Sequence, residues 1–146
     1  MNSIVSLQNP VLLSETPLWM SEIVGHVQAG FPSPAEDLGG KRIDLTELLV
    51  THPQATYLLR VHGWSMKEAG IFDNDIVVVN RAIRPRHKHI VVAIVDGDFT
   101  VKYLHQRPGS FKLKAANPTY ADIIPKEGQI VQVWGVVTSS IKQYQV

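Results

Sequence analysis

Two side chains of this sequence could together do nucleophilic chemistry without a histidine or a metal. Ser65 stands in the run Gly63-Trp64-Ser65-Met66, and Lys102 lies inside an otherwise apolar strand-like run, Phe99-Thr100-Val101-Lys102-Tyr103-Leu104. A charged amine in such a strand is costly, so it either reaches water along its stem or is held neutral. A neutral lysine is a base. Burial lowers a lysine pKa by up to several units from ~10.4, which lets the amine take a proton from a serine hydroxyl near neutral pH. Serine with lysine is one variant of the nucleophile-and-base arrangement more often built with histidine.

Each residue also has a plainer reading. Ser65-Met66-Lys67-Glu68 fits a capping box, a serine followed three residues later by glutamate, in which Ser65 does no more than start a short helix. The two readings are compatible, because a helix amino terminus offers free N–H groups and a positive dipole beside a nucleophile. Lys102 could equally pack its stem on the sheet and leave its head in water. Other bases fit less well. Lys67, two residues after Ser65, would project from nearly the opposite side of a helix. The penicillin-binding spacing needs lysine where Glu68 stands, and the hydrolase elbow needs glycine where Lys67 stands. Among the histidines at 26, 52, 62, 87, 89 and 105, His87 and His89 have a chelating spacing, but no acidic residue is near them in sequence. No metal and no cofactor are expected.

The elements that must position these residues are mostly strands. Thr56–Val61, Ile76–Val79 and Ile90–Val95 are short and rich in β-branched or aromatic residues. Asp96-Gly97 then predicts a tight hairpin whose second strand carries Lys102. Residues 111–115 alternate, and 129–137 read as a closing strand. Asp44 as N-cap, Glu47 three residues on, and apolar side chains at 45, 48 and 49 predict one short helix that Pro53 stops. Residues 1 to about 40 lack periodicity and carry Pro10, Pro17, Pro32 and Pro34, so they read as an extended arm. The expected fold is mainly β, about seven short strands with one or two short helices.

Composition narrows the function classes. A chain of 146 residues with 45% hydrophobic and 18% charged residues is one globular domain's worth. The formal net charge of +1 leaves no strong electrostatic footprint for nucleic acid, and the basic run from Arg81 to Lys88 reads as a solvated connection between strands. The absence of cysteine excludes disulfides, thiol catalysis and cysteine-ligated zinc. The first residues show neither a signal peptide nor a membrane span, so a cytoplasmic protein is expected.

A set of ordered motifs points further. Ala29-Gly30-Phe31-Pro32-Ser33-Pro34-Ala35, Arg42-Ile43-Asp44-Leu45, His52-Pro53-Gln54-Ala55-Thr56-Tyr57 and the Ser65 run come first. Asp96-Gly97-Asp98-Phe99-Thr100-Val101-Lys102, Arg107-Pro108, Ala116-Asn117-Pro118-Thr119-Tyr120 and Trp134-Gly135-Val136-Val137 follow. With these motifs, residues 28–138 resemble the UmuD family (UmuD, MucA, RulA), small relatives of the LexA repressor among the self-cleaving serine–lysine peptidases.

The resemblance implies a LexA- and signal-peptidase-like β-rich catalytic domain over 30–146, preceded by an arm over 1–29 that self-cleavage removes between Ala29 and Gly30. Ser65 would be the nucleophile, Lys102 the general base, and main-chain N–H groups near Trp64 and Ser65 the oxyanion donors. It implies stimulation by the RecA filament on single-stranded DNA. It also implies a processed homodimer that joins a Y-family, UmuC-like error-prone polymerase subunit in the SOS response, without sequence-specific DNA binding of its own and without a membrane. The local chemistry agrees: Ala29 and Gly30 are small enough to pass close to a nucleophile, and a tethered substrate has a high effective concentration. Val27 is a candidate apolar anchor for the arm.

This chain departs from the family pattern at Trp64, usually small or acidic, at His62, where a small residue is common, and at Asn80, in place of an aspartate. No winged-helix segment precedes the body, so a repressor is not expected. The alternative is a non-cleaved β-rich regulatory module that binds polymerase or RecA, with Ser65 as a cap and Trp64 blocking entry.

Overall fold

The structure is a computed structural model that describes residues 10–12, 19–23 and 40–146. In chain order its elements are β1 (Val11–Leu12), β2 (Trp19–Ile23), β3 (Gly40–Asp44), α1 (Leu45–Leu49) and β4 (Thr56–Arg60). There follow β5 (Ile76–Asn80), β6 (Ile90–Val95), β7 (Asp98–Arg107), β8 (Ser110–Lys114) and β9 (Val131–Ile141). The chain divides into two compact units, Ser14–Thr51 and Met1–Leu13 together with His52–Val146.

In the smaller unit β2 and β3 pair antiparallel, from Trp19 opposite Asp44 to Ile23 opposite Gly40. This ribbon was not expected within an unpatterned arm. Trp19-Met20-Ser21-Glu22-Ile23 shows no clean alternation, and a pairing between segments so far apart in sequence leaves no local signature. The helix α1 follows directly and is the one expected: Asp44 Oδ1 accepts from Thr46 N at 3.0 Å, and the Val50 N–H closes the last turn on Thr46 O. Pro53 opens a separate 3-10 turn over Pro53–Ala55. Val27, the Ala29–Gly30 bond and the arm boundary at 29/30 lie outside the described residues.

The larger unit is a seven-stranded antiparallel sheet in the order β1-β4-β5-β9-β6-β7-β8. Its centre is β9, whose C-terminal half pairs with β5 and whose N-terminal half pairs with β6. Each pairing is broken once by an extra residue on β9, Thr138 against β5 and Trp134 against β6. Such bulges bend a strand and increase its twist, so a single long strand can serve both halves of a curved sheet. The Asp96-Gly97 turn adopts positive φ at both residues, 48° and 89°, the backbone that a two-residue hairpin demands. It sets the β6–β7 register from Val95 opposite Asp98 to Ile90 opposite Tyr103.

Both faces of this sheet are covered in its middle. Val77, Val79, Val92 and Val101 pack on one side with Leu59, Met66 and Ile71, while Val91, Ala93, Leu104, Leu113 and Val136 form a second cluster. Continuous apolar runs in β5 and β6 follow from this two-sided burial. Asn80, buried at the end of β5, is satisfied by His52 Nδ1 at 2.9 Å and by the Ala82 N–H at 2.8 Å. A carboxylate at this depth would need stronger compensation, which fits asparagine here.

Candidate active site

The segment from Val61 to Ile71 leaves the end of β4 and is held by the backbone on three sides. Gly63, at a φ of +92° that favours glycine, donates its N–H to Asp73 Oδ1 at 2.7 Å. The Trp64 carbonyl accepts from Asn117 Nδ2 at 2.9 Å, and the Ser65 carbonyl accepts from Ala116 N at 2.8 Å. Met66, almost completely buried, plugs this segment into the first core cluster.

Ser65 does not cap a helix. The 3-10 turn Lys67–Ala69 has Met66 at its N-cap position and no side-chain cap bond, and Glu68 N donates to Ala116 O instead. The capping box therefore does not form. Ser65 Oγ turns the other way and meets Lys102 Nζ at 2.9 Å. The sequence reading also expected the helix terminus to supply oxyanion donors, but Lys67 N is spent on Trp64 O and Glu68 N on Ala116 O. Among the described residues, the N–H groups of Trp64, Ser65 and Met66 donate to no acceptor, so the free donors stand just before the turn rather than within it.

Lys102 lies in β7 opposite Val91 and is 7% exposed. Besides Ser65 Oγ, its Nζ contacts Thr100 Oγ1 at 2.9 Å and Val101 O at 3.1 Å. Among the described residues no carboxylate pairs with it. Burial without a compensating anion pushes the amine's pKa below its ordinary value. The three contacts then sort themselves by chemistry. Val101 O can only accept; if the amine is neutral, this oxygen and the Thr100 hydroxyl take its two N–H groups and its lone pair is left for the Ser65 O–H.

The pair opens into a cleft of about 330 Å³ lined by Val61, Gly63, Trp64, Phe99, Thr100 and Tyr120 among others. Trp64 does not fill it. Its indole leans on Phe72, with ring centroids 5.7 Å apart, and remains half exposed on the rim. His62 is exposed beside it. Away from this cleft, His87 Nδ1 accepts from Gln106 N and His89 Nδ1 from Arg86 N, and no cluster of three potential metal-ligating side chains occurs among the described residues. No helix among them is long and apolar enough to cross a membrane.

The structure brings Ser65 and Lys102, the two side chains singled out in sequence, into contact. Sequence reasoning missed Thr100 as a contact of the amine and Asn117 as the clamp on Trp64 O. Thr100 stands two residues before Lys102, on the same side of a strand, which is the only signal the sequence carried for it.

A peptidase S24-like family model matches residues 22–138. The chain is 41% identical to protein MucA of Salmonella typhimurium over 82% of each chain, and 41% identical to protein ImpA of Shigella flexneri over 78% of this chain and 77% of that one. It is also 41% identical to the LexA repressor of an Azoarcus strain, over 70% of this chain and half of the repressor. From the β-rich body that the family model spans and from these relatives, the chain belongs to the peptidase S24-like family, in its UmuD/MucA group.

Proposed function

We propose that this chain is a self-cleaving serine endopeptidase in which Ser65 is the nucleophile and Lys102 the general base. The observation that carries the reading is the 2.9 Å contact between Ser65 Oγ and the amine of a lysine that is buried without a counter-ion among the described residues. A cationic Lys102 has three N–H groups, no lone pair, and cannot accept a proton. The neutral amine accepts the Ser65 proton as Oγ attacks the carbonyl carbon of Ala29. The negative charge that develops on the Ala29 oxygen is met by the free N–H groups of Trp64 and Ser65. Lys102 then returns the proton to the Gly30 nitrogen as the Ala29–Gly30 bond breaks. The ester left on Ser65 is hydrolysed by water, with Lys102 again as base.

In this reading the arm over 1–29 is released from a body over 30–146, as in the family that the chain belongs to. Cleavage is stimulated by the RecA filament on single-stranded DNA. The processed homodimer serves a Y-family, UmuC-like polymerase subunit during error-prone synthesis in the cytoplasm. A regulator whose site Trp64 blocks is less well supported, because the indole packs on Phe72 and leaves the cleft open.

The test is mass spectrometry of the purified chain incubated with RecA, single-stranded DNA and a nucleotide. Two fragments meeting at Ala29–Gly30 are expected, and neither should appear with Ser65→Ala or Lys102→Ala. Continued cutting in Lys102→Ala would reject the lysine as base, and an intact wild-type mass throughout would reject the peptidase.

A further inference from the structure

The net charge of +1 conceals a local gathering of cations on one face. Antiparallel pairing of β7 with β8 sets Tyr103 opposite Lys114, His105 opposite Lys112 and Arg107 opposite Ser110. Because side chains alternate along a strand, these six positions share one face. The connection from Arg84 to His89 runs beside the same end of β7: Lys88 N donates to Leu104 O, Leu104 N to His89 O, and Gln106 N to His87 Nδ1. The basic run that reads in sequence as an isolated loop is thereby added to the cations of β7 and β8.

The result is a shallow cleft of about 450 Å³ lined by Lys88, Tyr103, His105 and Lys114, with Ala115, Ala116 and the single acid Glu68. The His87 and His105 rings meet edge to face with centroids 5.1 Å apart. Lys112 is paired with Asp122 at 3.0 Å, which holds it in place at the border. Crowding of positive charge is felt within the cleft: burial, then His87, Lys114 and Lys112, hold the His105 imidazole below its usual range, with Asp122 acting the other way. Asp96 and Asp98 lie at the opposite end of β6 and β7.

We propose that this face binds the backbone of single-stranded nucleic acid without reading its sequence. The geometry favours a strand over a single phosphate. Lys112 and Lys114, two residues apart on β8, stand ~6.7 Å from one another, and Lys88 and Arg107 continue the positive charge along β7 rather than closing on one point. The aromatic rings of Tyr103, His87 and His105 are interleaved with them, which supplies stacking surface to unpaired bases as well as charge to phosphates. The inference rests on surface geometry and stands or falls separately from the peptidase reading, since none of these residues touches Ser65 Oγ or Lys102 Nζ.

The test is fluorescence anisotropy of the full chain with labelled oligo-dT and oligo-U strands of about 20 nucleotides, titrated from about 50 to 200 mM salt. Binding of either strand is expected, with log affinity falling against log salt at a slope near −2, the signature of about three neutralised phosphates. Lys88→Glu with Lys114→Glu should weaken it at least ~10-fold, and the milder Lys88→Gln with Lys114→Gln should flatten the slope by about 1.4. Lys126→Glu, beside the Asp96 turn, should change little. No binding at low salt, binding that survives the double reversal in a variant with unchanged circular dichroism, or tighter binding of poly-glutamate than of the oligonucleotide at equal charge would overturn the proposal; the last would assign the face to an acidic protein segment.

Discussion

At the scale of single residues, the chemistry turns on the protonation of one amine. Lys102 is buried with no anion beside it among the described residues, so its proton is lost more readily than that of a free lysine. Processing should therefore accelerate as pH rises through the lowered Lys102 pKa and level off above it; a rate independent of pH between about 6 and 10 would be incompatible with this base. Thr100 acts through Lys102, since its Oγ1 contacts the amine at 2.9 Å and, among the described residues, makes no contact with Ser65. Thr100→Val should slow processing about tenfold and move the pH inflection downward, because the cation loses a polar neighbour; Thr100→Ser should restore both. A merely structural threonine would leave the inflection in place. Ser65 and Lys102 were legible in sequence because a lysine inside an apolar strand is an anomaly that needs a reason. Thr100 was not, because threonine is an ordinary strand residue.

The elements supply the geometry that these residues need. Ser65 is presented by a segment whose carbonyls at 64 and 65 are clamped by Asn117 and Ala116, and whose next residue, Met66, is buried in the core. Met66→Ala should destabilise the protein by about 2–5 kcal/mol in urea unfolding and slow processing besides, since the cavity lies directly under the nucleophile. Against Val79 of the same cluster, Gly135 lies in β9 next to the bulged Trp134, and a Cβ there would meet Val79 Cγ1 at 2.7 Å and Arg81 Cγ at 3.2 Å. Gly135→Ala should cost about 1–3 kcal/mol by overpacking, read from the same unfolding curves. Alternation and turn chemistry revealed most strands of the body, the short helix and the Asp96-Gly97 hairpin. The capping box at Ser65 misled, because its hydroxyl has a stronger partner across the cleft than the local backbone offers.

For the whole molecule, the buried Lys102 amine bears on stability as well as on the proposed activity. The unfolded chain holds the Lys102 proton up to ~10.4, whereas the folded chain releases it at lower pH, so the unfolded state binds more protons in the window between. The contribution of Lys102 to folding is thus unfavourable below the lowered pKa and is relieved as pH climbs through it towards ~10.4. Lys102→Met should raise stability near neutral pH by about 1 kcal/mol and remove that rise with pH, as followed by urea midpoints across the range. A variant less stable than wild type at pH 7 would show that the amine is accommodated without penalty. What the sequence by itself determined is local: the β-rich character, the turn, the helix cap, and the anomaly of a lysine inside an apolar strand. Tertiary structure alone decided which strands neighbour one another, that β9 joins both halves of the sheet, that Ser65 faces Lys102 rather than its own backbone, and that scattered cations share one face. The division has a physical cause. Periodicity and turn residues act over a few positions along the chain, whereas strand order, burial of a charge and the merging of surfaces depend on which distant segments exclude water together.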